Sequence, residues 1–256
     1  MATGLHRDLP DAELHEPKGI VAAGAGEVYA ADGAGGGSWG APDAETLQGN
    51  DVSTNSPNDR DLLQWNGTGS EWEPAEQALP KNWIRNLKVS WVSNSQVAIS
   101  AGEARSDDDT DNLKVTSAIT PIDITTSGAN GLDTGSEASN TWYYIWVIKN
   151  PTGPTYAGLL STSATSPTLP SGYTKKRLVG TVYNTGASNF RNFRVVGSGS
   201  YRVCHCVGTN VLLLGGTATV WTPISCAAAI PPVATRGLFQ IVGLATGVSI
   251  SKNIDA

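Results

Sequence analysis

Four aspartates, Asp107, Asp108, Asp109 and Asp111, form the densest set of potential ligands in the chain. Asp107, Asp109 and Asp111 hold the first, third and fifth positions of a calcium loop, where alternate carboxylates face one cation. The rest of that ligand set is missing, because Asn112 stands at the turn glycine and Ala118 at the bidentate glutamate. The spacing predicts a solvated turn between strands and no bound metal. Cys204, His205 and Cys206, with distant Cys226, are a second set. Thiolate and imidazole suit zinc, but in a strand His205 faces away from both cysteines, and the usual two separated ligand pairs are lacking. Buried cysteines acting as small apolar residues are expected, with a disulfide to Cys226 left open once the chain leaves the cell.

Catalysis has little to work with. The histidines are His6, His15 and His205, two of them in an amino-terminal tract with few apolar residues. No nucleophile elbow and no phosphate loop occurs. No catalytic residue and no cofactor is expected. Trp65, Trp72, Trp83 and Trp91 could stack on sugar rings, although tryptophans in hairpins and sandwiches more often serve packing.

Composition narrows the class. Only 16% of the 256 residues are charged, with 29 glycines, 14 prolines and a single methionine, against about 25% charged in an ordinary soluble domain. That balance suits short strands joined by tight turns and disfavours helix bundles. A net charge of -6 leaves no basic surface for nucleic acid. No apolar run approaches the ~20 residues of a membrane helix, so no membrane insertion is expected. The start lacks the apolar core of a secretory signal, and three cysteines are too few for a disulfide framework. Synthesis in a reducing cytoplasm follows.

The element that must position everything else is at residues 141–149, TWYYIWVIK, in a chain only 7% aromatic. β-Branched and aromatic residues favour a pleated, half-buried surface. Alternation puts Trp142, Tyr144, Trp146 and Ile148 on one face and Tyr143, Ile145 and Val147 on the other. Both faces are bulky, as in a strand covered on two sides, and Asn150-Pro151 ends it. A second strand, residues 175–183, follows the turn signal Leu169-Pro170-Ser171-Gly172, and these two are expected at the middle of a β domain. Further strands are expected at residues 88–91, 96–101, 114–124, 191–196, 201–207, 211–214, 218–227 and 237–242, with Pro121 marking an edge or bend. Their regular spacing with intervening turns predicts an all-β fold, an antiparallel β-sandwich of jelly-roll type over residues 82–256.

The preceding residues differ. VYAADGAGGGSW (28–39) and LLQWNGTGSEWEP (62–74) each place Asp-Gly or Asn-Gly after an aromatic residue and before a tryptophan. Asp32-Gly33 and Asn66-Gly67 suit primed hairpin turns. Each reads as a small hairpin that needs a neighbour to cover it, with residues 49–61 between them as a polar linker inside a 46–81 shaft segment. Residues 1–45 are proline-interrupted, glycine-rich and poor in apolar residues, which predicts an extended arm that orders on a partner.

LHRDLPDAELHEPKG followed by VYAADGAGGGSW resembles the amino-terminal arm of bacteriophage head-fibre and tail-fibre proteins. LLQWNGTGSEWEP resembles the shaft repeat of such appendages, and residues 97–190 are similar to their β domains. The resemblance implies a non-enzymatic virion structural protein, a homotrimer assembled in the host cytoplasm. It implies a capsid-bound head fibre or decoration protein anchored by its arm. A tail fibre recognising host surface glycan is the alternative, and a tailspike-like glycosidase the third reading. Within the arm the anchoring residues would be Leu5, Leu9 and Leu14, widely spaced for separate pockets, with His15, Glu16, Pro17, Lys18 and Gly19.

Overall fold

The strongest strand signal in the sequence becomes a ten-residue strand with six buried residues in succession, Tyr143 to Ile148. The computed structural model describes residues 28–31, 37–40, 46–47, 49–58, 61–199, 201–207, 220 and 222–237. The chain divides between Gln77 and Ala78 into two compact units. It is all-β, with no helix among the described residues.

In the first unit β1 (Val28–Ala31) and β2 (Gly37–Gly40) form an antiparallel hairpin where one is expected over 28–39. Ala31 pairs with Gly37, and the connecting residues, Asp32-Gly33 among them, lie outside the described residues. Strands β3 (Thr46–Leu47), β4 (Asn50–Val52), β5 (Asp61–Asn66) and β6 (Glu71–Glu76) form a sheet of order β3-β4-β6-β5. Residues 49–61, expected as a linker, thus supply a strand, because β4 pairs in parallel with β6. The second hairpin is present but its turn is not the expected primed one. Asn66 Oδ1 accepts the Thr68 and Gly69 amides at 3.0 and 3.1 Å. Ser70 N–H closes back on Asn66 C=O at 2.8 Å, and the left-handed conformation falls on Ser70 (φ 56°). An asparagine side chain that caps its own turn outcompetes the two-residue connection.

The second unit contains β7 (Ile84–Asn86), β8 (Val89–Trp91), β9 (Gln96–Ile99), β10 (Gly102–Arg105), β11 (Asn112–Val115) and β12 (Ile119–Asp123). These are followed by β13 (Gly131–Leu132), β14 (Thr141–Asn150), β15 (Thr155–Ser161), β16 (Lys175–Asn184), β17 (Phe193–Ser198) and β18 (Tyr201–Cys206). They pair as β11-β10-β7, β12-β9-β8, β13-β15-β14-β16 and β17-β18. The single strand expected over 114–124 is broken, since β11 ends at Val115 and β12 begins in another sheet at Ile119. Pro121 lies in an outermost strand beside a register shift, where a missing donor costs nothing.

Packing follows the alternation. One face of β14 sends Tyr143, Ile145 and Val147 into a core shared with Val97, Ile99 and Ile122 of the facing sheet and with Leu113. The other face sends Tyr144, Trp146 and Ile148 under the 162–174 segment, where Leu169 and Tyr173 close over them. Trp146 is 2% exposed. Glycines let the layers approach. A Cβ on Gly158 would lie 2.2 Å from Ile122 Cδ1, and one on Gly180 would lie 2.7 Å from Val89 Cγ2. The turn before β16 forms as read, with Tyr173 N–H on Pro170 C=O at 3.1 Å and Gly172 at φ 83°.

Strand β16 is not at the middle of its sheet but at one end. Its outer edge is closed from elsewhere: Asp107 N–H donates to Lys176 C=O at 3.0 Å, and Arg202 donates to Val179 C=O at 3.1 Å. The strand expected at 218–227 is also corrected. Residues 222–226 have no strand structure, and a turn closes from Ala229 and Ile230 onto Cys226 C=O. The carbonyls of Ala227 and Ala228 are taken by Trp142 Nε1 and Arg191, so no ladder forms there. The strand expected at 211–214, and all of 237–242 except Gly237, lie outside the described residues.

Candidate functional site

The sequence nominated four groups of side chains, and each meets a different outcome. The aspartate turn between β10 and β11 is tied down. Ser106 N–H donates to Asp111 C=O at 2.9 Å and closes the turn. Every carboxylate then finds its own cation. Asp107 pairs with Lys176, Asp108 with Lys175 (2.7 Å), Asp109 with Arg105 (3.2 Å) and Asp111 with Lys149 (2.8 Å). Lys149 Nζ meets both Asp111 oxygens at 2.8 Å and also donates to Asn112 C=O at 3.2 Å. The turn is therefore more than a solvated connection: it is a set of ion pairs fastening one hairpin to β14 and β16. Burial works against the Asp108 charge. Hydrogen bonds from Lys175, Ser106 and Thr110 outweigh it and hold the carboxyl well below the usual carboxylate range.

The cysteines are not buried as expected. Cys204 is exposed, Cys206 and Cys226 are half-buried, and all three are free thiols. In the β17–β18 register Cys204 lies opposite Val195, Cys206 opposite Phe193 and His205 opposite Arg194. The imidazole and the thiols thus occupy opposite faces. Phe193 and Val195 reach the core, whereas Cys204, opposite Val195, stays exposed and Cys206, opposite Phe193, is half-buried. Among the described residues no three His, Cys, Asp or Glu side chains converge on a point.

Of the four tryptophans, Trp65 and Trp72 come together in the first unit. They are direct partners across β5 and β6, edge to face with centroids 5.6 Å apart. Trp72 Nε1 donates to Leu47 C=O at 3.1 Å, which holds its ring against the sheet. Trp91 belongs to the core of the second unit and donates to Phe190 C=O at 3.3 Å. Trp83 lies just before β7 on another sheet and is 41% exposed. A depression of about 380 Å³ beside β16 is lined by Asp107, Trp146, Thr165 and Arg177. Its polar rim is spent internally, because Asp107 pairs with Lys176 and Arg177 donates to Asn82 C=O at 3.1 Å. The anchoring residues Leu5, Leu9, Leu14, His15, Glu16, Pro17, Lys18 and Gly19 lie outside the described residues.

Two features escaped the sequence reading. One is Arg202, whose guanidinium donates to carbonyls of Asn86, Leu87 (2.9 Å), Val179 (3.1 Å) and Gly199 (3.1 Å). Nothing in YRVCHC marks that arginine as inward-facing, although its register partner Gly197 leaves room beside it. The other is β5. Leu62 is 55%, Leu63 48% and Trp65 39% exposed, and from Leu47 to Gln77 no described residue is buried. The signal was the adjacent leucine pair, which alternation sends to opposite faces and so prevents one core from covering both. Compared with known proteins, the chain matches no family model, no curated protein and no solved structure.

Proposed function

We propose that this chain is a non-enzymatic structural appendage of a bacteriophage virion, attached to the capsid by its amino-terminal arm. The observation that carries the reading is the division of labour along the chain. A second unit with its own two-sided core follows a small first unit whose described side chains from Leu47 onward include none that is buried. A self-sufficient head preceded by a segment that needs a partner is the arrangement an anchored appendage requires. The arm fits the same scheme: Leu5, Leu9 and Leu14 supply separate apolar anchors on a polar thread, and several copies bound at once gain from avidity.

The test is deletion of residues 2–39. The truncated chain should fold, by circular dichroism, and be absent from purified particles. A truncated chain that copurifies at normal copy number would place the anchor elsewhere. Labelled particles locate the full chain, and label on the tail would favour the tail-fibre alternative over the head.

A further inference from the structure

We propose that β5 is a self-pairing edge, by which two copies of this chain join antiparallel about Gln64. The inference rests on the appendage reading in one respect, that the chain works in more than one copy. Strand β5 is the last strand of its sheet and, among the described strands, pairs only with β6. Its backbone orientation can be worked out. Ser53 N–H donates to Trp72 C=O at 2.7 Å, so the backbone groups of Trp72 face β4. Trp65, directly opposite Trp72, is then in a non-hydrogen-bonded pair, and its own N–H and C=O point away from the sheet. Alternation gives Leu63 the same outward orientation. Pro74, opposite Leu63, is consistent, because its missing donor falls on the side away from β5.

An antiparallel pair joins residues on the same face, and hydrogen bonds form only between outward-pointing residues. Any register centred on a residue of β5 meets both conditions. The one about Gln64 is singled out by its side chains, because it sets Leu63 against Trp65 whereas centring on Leu63 would set Asp61 against Trp65. Leu63 of each copy exchanges backbone hydrogen bonds with Trp65 of the other, and the two Gln64 side chains meet in the non-hydrogen-bonded position between them. The cross-strand contacts are then Leu63 on Trp65, twice, the apolar-on-aromatic pairing that stabilises sheets. The charges also permit it. Asp61, the one charged residue of β5, lies beyond the paired region, and Glu71, Glu73 and Glu76 are one strand further in. By contrast the outer edge of β16 is already closed by Asp107 and Arg202. The chain covers the β16 edge itself and presents the β5 edge with leucines and a tryptophan.

This pairing is two-fold, whereas the fibre resemblance implies a trimer, so the mass of the assembly is decisive. Light scattering on the purified full chain over a wide concentration range should give a dimer or an even multiple. Leu63→Pro removes an outward donor that the strand's own sheet does not use, and Leu63→Lys places a charge at the contact. Each should raise the dissociation constant about tenfold or more with an unchanged circular dichroism spectrum. Gln64→Cys should give a disulfide-linked dimer on mild oxidation well above the wild-type background, because the non-hydrogen-bonded position brings Cα atoms to about 4.5 Å. A monomer at every concentration, a trimer, assembly that survives both Leu63 substitutions, or no added cross-linking would each overturn the proposal. The particle experiment is separate: a chain that dimerises through β5 yet is absent from virions keeps this inference and removes the appendage reading.

Discussion

At the scale of single residues, charge in this protein is used to fasten backbone. Among the described residues Arg202 has no carboxylate partner, and it is spent on four main-chain carbonyls from three stretches of chain. Burial, and then the nearby charge of Arg177, pull its pKa below the ordinary arginine value, yet the guanidinium stays charged because that value starts so high. A planar fork can meet carbonyls in several directions at once, and an ammonium cannot. Arg202→Lys should therefore cost nearly as much as Arg202→Ala, about 1–3 kcal/mol in chemical denaturation, with faster amide exchange across β17 and β18. Asp108 gives the complementary case. Its folded pKa lies below the unfolded one, so its contribution is complete above about pH 4 and is lost as pH falls towards the folded value. The pair is partly exposed, which limits it to about 0–1 kcal/mol. The wild-type midpoint should fall below about pH 4, and Asp108→Asn should lower the neutral-pH midpoint while flattening that acid limb. The aspartates were visible in the sequence as a cluster, but their partners were not. Lys175 and Lys176 stand 67 and 69 residues away from theirs, and no local pattern reports a contact of that span.

At the scale of elements, legibility followed side-chain chemistry. β14 was readable because bulky residues on both faces demand burial on both, and its last residue is set by Pro151. β15, TYAGLLS, was not, although it is the partner of β14 along its length. Glycine lowers strand propensity, and Gly158 is needed there for a reason that exists only after folding, the approach of Ile122. β10, GEAR, is obscured in the same way by Gly102, where a Cβ would meet Arg85 C=O at 2.4 Å. Gly158→Ala should suit an isolated strand better and still destabilise the protein, by about 1–3 kcal/mol as overpacking. Thermal melts would check the sign: a raised midpoint would mean that Ile122 swings aside at little cost. The Asn66 turn failed for the opposite reason, because a dipeptide rule ignored what the asparagine side chain itself can accept.

At the scale of the whole chain, the division between Gln77 and Ala78 separates two kinds of stability. Residues 78–256 contain both buried clusters and should unfold cooperatively on their own, with a melting midpoint within a few degrees of the full chain. Calorimetry on that fragment would check it, and a broad or strongly lowered transition would show that the first unit supports the second. The closed edge of β16 has a consequence for how this unit is made. β14, β15 and β16 follow one another within residues 141–184 and pair there among themselves, β14 with both of the others, so they can assemble early. The covering of β16 comes late by comparison, since Asp107 must be brought to Lys176 across 69 residues and Arg202 lies beyond the sheet in sequence. Between these events a nascent chain carries an uncovered strand ending in KKRLVGTVYN, open to the same strand of a neighbouring nascent chain. Refolding yield should then fall as concentration rises, through a route that the finished molecule no longer offers, and crowding on a polysome would be the setting in which cells meet that hazard.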